Sequence, residues 1–125
     1  MLDVNQRLQY NPRMSTEKLT FELAEGANPH VYHLKGPMVL GNMFGIQEAL
    51  RSETVSTVLD LSEVPYMDSA GLGVLTNSFV THQKHGRKFL LVGVNDRIRT
   101  LFQITKLDQL FTIFPTVEAA RQAAA

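Results

Sequence analysis

The 125-residue chain predicts a single α/β domain, a mixed sheet of about five strands with about four helices mostly on one face. Three observations lead there. From Val55 onward, short apolar or β-branched runs alternate with stretches of helical period, which implies parallel strands joined by right-handed helical crossovers. The first two strand patterns are instead joined by a turn, so they form a hairpin. A chain of this length with 44% hydrophobic residues supports one buried core and is too short for two ordinary domains.

Taken in order, residues 1–18 are rich in Asn, Gln, Arg and Ser without a sustained period, and read as an N-terminal extension to a domain of residues 19–125. Leu19, Phe21 and Leu23 alternate with Thr20 and Glu22, as in a half-buried strand. The turn Glu25-Gly26-Ala27-Asn28-Pro29 leads into a second strand, Val31 to Lys35. After Gly36 the period becomes helical, with Met43, Ile46 and Leu50 on one face and Asn42 as the expected cap. Then come strand Val55 to Leu61, helix Ser69 to His85, strand Lys88 to Val94, helix Asp96 to Thr105, strand Phe111 to Phe114 and helix Thr116 to Ala124. Leu72, Leu75 and Phe79 define the inner face of the second helix. Ile98, Leu101, Phe102 and Thr105 define that of the third, capped by Asn95 or Asp96.

The most informative segment is Met67-Asp68-Ser69-Ala70-Gly71-Leu72-Gly73, where a strand and its proline-containing turn hand over to a helix. Either Asp68 or Ser69 can accept a hydrogen bond from the unpaired first-turn amides, and a carboxylate also suits the positive end of the helix dipole. Asp68 is therefore the expected cap, which leaves the Ser69 hydroxyl free. Gly71 and Gly73 cost about 0.5–1 kcal/mol each in a helix interior, so a close approach of another surface is the expected reason for them.

These residues resemble the STAS domains, and within them the bacterial anti-sigma factor antagonists, whose motif is an aspartate, a phosphorylated serine, a small residue and a glycine. The resemblance continues through Gly86-Arg87-Lys88-Phe89-Leu90-Leu91-Val92, the helix Arg97 to Thr105, and Phe111 to Ala120. It implies that the unphosphorylated chain binds an anti-sigma factor carrying a kinase domain and so frees a sigma factor. Phosphorylation of Ser69 then ends the binding, and a serine phosphatase would restore it. Asp68, Ser69, Ala70, Gly71, Leu72 and Gly73 are the partner-binding residues implied, with Met43 and Phe44 joining them if exposed near Met38 and Leu40. Two departures stand out. Gly36-Pro37-Met38-Val39 lacks the aspartate the family often carries there, and Ala70 replaces a Ser or Thr often found after the phosphoserine. A second reading is a STAS accessory or scaffold subunit of a transporter, lipid-transport or signalling complex, working without phosphorylation.

Other chemistries fit less well. Twelve basic and twelve acidic residues cancel, so no global field draws the chain to nucleic acid or anionic membranes. Cysteine is absent, and with it any disulfide framework or thiolate metal site. No apolar run approaches the roughly 20 residues of a spanning helix and the N-terminal sequence lacks signal-peptide character, so a cytoplasmic location is expected. A serine nucleophile needs a base within reach, yet His82 lies thirteen residues along the same helix, about 20 Å away. His82 and His85 could suggest a metal pair, but no third or fourth ligand accompanies them. They read as last-turn residues complementing the dipole beside a left-handed Gly86. Gly71-Leu72-Gly73, with Asp96 beyond the next strand, imitates part of a dinucleotide fingerprint whose third glycine is missing. No catalysis, metal or cofactor is expected, and oligomeric state is left open.

Overall fold

The computed structural model describes residues 18–25 and 27–125. Strands β1 (Thr20–Glu25), β2 (His30–Lys35), β3 (Thr57–Glu63), β4 (Phe89–Val92) and β5 (Thr112–Phe114) form one five-stranded sheet in chain order. β1 and β2 are antiparallel, and every later neighbouring pair is parallel. Helices α1 (Phe44–Arg51), α2 (Ser69–Lys84) and α3 (Asp96–Ile104) make the crossovers, and α4 (Val117–Ala124) follows the last strand. The mixed sheet, the hairpin and the alternation are as the sequence predicts. β3 starts two residues later than expected and extends to Glu63. The expected extension lies, apart from Lys18, outside the described residues.

Each crossover carries the chain to the next strand in the same direction, so a single handedness puts α1, α2 and α3 on one face. Ile46, Leu50, Leu72, Leu75, Ile98 and Phe102 from these helices pack with Tyr32, Leu34, Leu59, Leu61, Phe89 and Leu91 of the sheet. Since α4 is no crossover, it can return to the opposite face, where Ala120 meets Val31, Val58, Leu90 and Val92. Its alanines let the helix sit close to the strands. Covered on both sides, β4 is buried at all four positions, which explains its unbroken Phe89-Leu90-Leu91-Val92 run. Each large apolar side chain fully removed from water here contributes about 1.5–3 kcal/mol.

Polar groups stitch the lower end of the sheet. Glu53, after α1, is buried and accepts from the Tyr32 hydroxyl and from His30 Nδ1 at 2.7 Å. Burial and this carboxylate raise the Tyr32 pKa. Arg87 donates to the Glu53 carbonyl at 2.6 Å, tying the start of β4 to the end of α1.

His82 corrects the sequence reading. It is a core residue, with no exposed charge to serve the helix dipole. Its Nδ1–H donates to the Ser78 carbonyl at 2.7 Å and its Nε2 lies 2.8 Å from the Thr57 hydroxyl, which can donate to it when the ring is neutral. Burial lowers its pKa, outweighing the pull of the Ser78 carbonyl. His85 behaves as expected, exposed and bonded to the Thr81 carbonyl at 2.9 Å, with Gly86 at φ 71° ending the helix. His33 shifts the other way, because hydrogen bonds to Glu63 and then Asp60 raise its pKa.

The two histidines make opposite contributions to the pH dependence of stability. With a folded pKa below 6.5, the His82 contribution is present above pH 6.5 and is lost as pH falls toward the folded value. With a folded pKa above 6.5, the His33 contribution is full below pH 6.5 and is lost as pH rises through the folded value. Urea midpoints of wild type should therefore fall on acidification below pH 6.5. His82→Gln should flatten that fall whatever its absolute stability, and an unchanged slope would contradict the assignment.

Candidate functional site

The site forms where β3 hands over to α2. Asn95 caps α3 by accepting from the Ile98 amide at 2.9 Å. Its amide group also donates to the carbonyls of Val64 and Pro65, at 3.3 and 3.1 Å. The Arg97 guanidinium lies over the Tyr66 ring, 5.0 Å from its centroid. The turn entering α2 is thus held to the start of α3. Asp68 follows in extended conformation and caps α2, its Oδ1 accepting from the amides of Ala70 at 2.9 Å and Gly71 at 3.1 Å. Ser69 is the first helical residue, exposed, and its hydroxyl makes no hydrogen bond among the described residues. The carboxylate does the capping and the hydroxyl is left over, as the sequence predicts.

A second segment, 38–44, is clamped against this turn. Met38 and Met67 form an isolated parallel bridge, with Met38 N donating to the Tyr66 carbonyl at 3.1 Å and Asp68 N to the Met38 carbonyl at 3.2 Å. The other Asp68 oxygen, Oδ2, accepts from the Leu40 amide at 3.0 Å. Gly71 is what lets these segments meet. A β-carbon there would stand 2.5 Å from the Met38 carbonyl oxygen and 2.9 Å from the Met67 Cβ. The close approach expected of Gly71 is therefore internal to the domain. Gly73 has open space in place of a neighbour and remains available to another molecule.

Burial divides the residues predicted to bind a partner. Phe44 is 79% exposed and Leu40 82%, whereas Met43 is 6% exposed and Leu72 8%. Met43 and Leu72 belong to the core, because the turn before α1 and the first turn of α2 each need an apolar residue facing the sheet. Gly71 is likewise buried, and Ala70 and Gly73 are half-buried. Phe44, Leu40, Ala70, Gly73 and Gln47, together with the small exposed edge of Met43, line an open groove of about 370 Å³ between α1 and α2, whose walls carry no charged side chain. Asn42 corrects another expectation. α1 begins at Phe44 without a side-chain cap, and Asn42 spends its side chain on the Leu19 amide and the Pro37 carbonyl. The Leu40 amide bond to Asp68 was not foreseen, since nothing in sequence spacing brings residues 40 and 68 together.

The geometry also speaks to the other chemistries. His30 bonds to Glu53, His33 to Asp60 and Glu63, His82 to Thr57 and Ser78, and His85 to Thr81, so all four histidines are engaged away from Ser69. With both ring nitrogens of His82 in use, a His82–His85 metal pair has no free donor on one side. The α2 amides that would receive a dinucleotide phosphate are already bonded to Asp68.

Residues 20–120 match the STAS domain family model, and the chain belongs to the STAS domain family. Among curated proteins it is similar to an anti-sigma-B factor antagonist of Listeria monocytogenes, 38% identical over an alignment of 72 residues that covers 54% of this chain and 63% of that protein. The match therefore spans less than two thirds of the relative's length. A solved anti-sigma factor antagonist from Mycobacterium paratuberculosis shares the fold at TM-score 0.76 and 22% identity, over 87% of this chain and 96% of that one. So does a sulfate transporter family protein from Wolinella succinogenes, at TM-score 0.64 and 21% identity over 82% and 92% of the two chains. Among the described residues no helix is long and apolar enough to cross a membrane.

The two glycines of the motif should respond to alanine with opposite signs. Gly71→Ala forces apart Met38 and the helix and should cost about 1–3 kcal/mol. Gly73→Ala fills open space within a helix and should stabilise by about 0.4–1 kcal/mol. Urea denaturation of the two variants checks the pair, and a neutral Gly71→Ala would contradict the clamp. Asp68→Ala, removing the cap, should cost about 0.5–2 kcal/mol in the same assay.

Proposed function

We propose that this chain is an anti-sigma factor antagonist switched by phosphorylation of Ser69. In the unmodified form it binds an anti-sigma factor with a kinase domain, and a sigma factor is released. ATP belongs to that kinase, and this chain performs no chemistry of its own. The observation that carries the reading is the exposed Ser69 hydroxyl, left unbonded by the Asp68 cap at the edge of an uncharged apolar groove. Leu40 and Phe44 form the apolar ridge of the docking surface, with Ala70 and Gly73 allowing close approach. The curated name of the Listeria relative supports the same reading.

A phosphate on Ser69 adds about −1.5 to −2 charges beside Asp68, so a docked partner would have to desolvate about three negative charges on a surface that otherwise offers none. Folding is little affected, because the start of a helix tolerates an anion. The result is an electrostatic switch without a change of fold, reset by a serine phosphatase. The absence of an aspartate at Val39 leaves the partner to be gripped through the apolar ridge more than through charge. The Wolinella neighbour favours a second reading, in which the same surface scaffolds a transport complex without phosphorylation.

Calorimetric titration with candidate anti-sigma factors that carry a kinase domain tests the proposal. Ser69→Ala should bind as tightly as wild type, and Ser69→Asp and Ser69→Glu at least about tenfold more weakly. Leu40→Ala with Phe44→Ala should weaken binding similarly without lowering stability. Equal affinity of all Ser69 variants would remove the switch and favour the scaffold reading.

A further inference from the structure

We infer that Asp68 is a positioning residue that couples Ser69 to the apolar ridge, so that a phosphate on Ser69 loosens the Leu40 segment as well as adding charge. The inference rests on the switch proposed above and concerns what that switch moves.

One carboxylate is divided between two elements. Oδ1 holds the amides of Ala70 and Gly71 at the start of α2, and Oδ2 holds the Leu40 amide in the facing segment. That segment is pinned at both ends. Met38 is fixed by its two backbone bonds to the turn, and Asn42 by bonds to Leu19, Pro37 and Val39. Between the pins, the Leu40 side chain lies in solvent and Gly41, at φ 84°, has no neighbour where a Cβ would stand. Packing does little to hold this stretch, and the bond to Asp68 grips its middle.

A phosphate at the first helical position seeks the same amides that Oδ1 occupies, and its charge repels the adjacent carboxylate. Both effects turn Asp68 from its place, and the Leu40 amide loses its acceptor. Leu40 then moves on the Gly41 hinge, and the ridge that the partner reads is no longer held beside Ser69. Core residues beneath, including Leu75 and Met38, are fully buried and need not shift.

Amide hydrogen exchange of the full chain, followed by NMR, tests this without any partner. Three proteins are compared: wild type, Asp68→Asn, and the chain carrying phosphoserine installed at position 69 during translation. Asparagine keeps one oxygen for the helix cap but sets an NH₂ group against the Leu40 amide. Leu40 exchange should accelerate about tenfold or more in both altered proteins, while the Met38 and Asp68 amides, bonded to backbone carbonyls, keep their protection. Leu40 exchange within about twofold of wild type in the phosphoserine protein would overturn the coupling, whatever Asp68→Asn does. If Asp68→Asn fails to fold, the phosphoserine protein alone decides. Because partner affinity is not read, this result is independent of whether the Ser69 switch itself holds.

Discussion

Everything at this rim depends on which group caps α2. A helix start offers amides without partners, and whatever accepts from them is no longer free for other work. Here the Asp68 carboxylate accepts, with one oxygen on Ala70 and Gly71 and the other on Leu40. Had the Ser69 hydroxyl done the capping, it would be turned inward and occupied. Instead it sits in solvent, one residue into the helix, where a charge can be added at little cost to folding. The same carboxylate brings two segments of the chain, almost thirty residues apart, to one edge of the molecule.

Beneath that edge the domain is built to stay still. Gly71 admits the Met38 carbonyl to within a distance no side chain would allow, and the Met38–Met67 bridge extends the sheet's parallel logic into the turn. Met43, next in sequence to exposed Phe44, and Leu72, three positions after exposed Ser69, are sunk in the core. Buried Met67, Gly71 and Leu72 thus lie on either side of exposed Ser69 along the motif, so the turn beneath it is anchored in the core. A rigid support of this kind lets a local electrostatic change be read directly at the surface.

The sequence reveals much of this because periodicity and capping are local. Strand and helix alternation, the Asp68 cap, the free Ser69 and the left-handed Gly86 all follow from neighbours within a few positions. What it hides is long-range. His82 looks like a solvated last-turn residue until β3 brings Thr57 to its ring and β4 brings Phe89 within 5.2 Å. Asn42 looks like a cap until Leu19, more than twenty positions earlier, claims its oxygen. Gly71 signals a close approach in the sequence, but only the fold reveals that the approaching group is the chain's own Met38. Exposure of Phe44 and burial of adjacent Met43 likewise depend on how α1 is rotated against the sheet.

Membership of the STAS domain family sets the architecture, and the same fold occurs in an anti-sigma factor antagonist and in a sulfate transporter family protein, so the chemistry of this rim must carry the functional account. That account reduces to one event at one oxygen atom. Its most direct test is to incubate the purified chain with candidate anti-sigma kinases and ATP, map any phosphate by mass spectrometry, and follow the complex by size-exclusion chromatography. The account predicts a single phosphate on Ser69 and a modified chain that elutes apart from its kinase. A phosphate settled at another residue, or a Ser69-phosphorylated chain that stays bound, would contradict it.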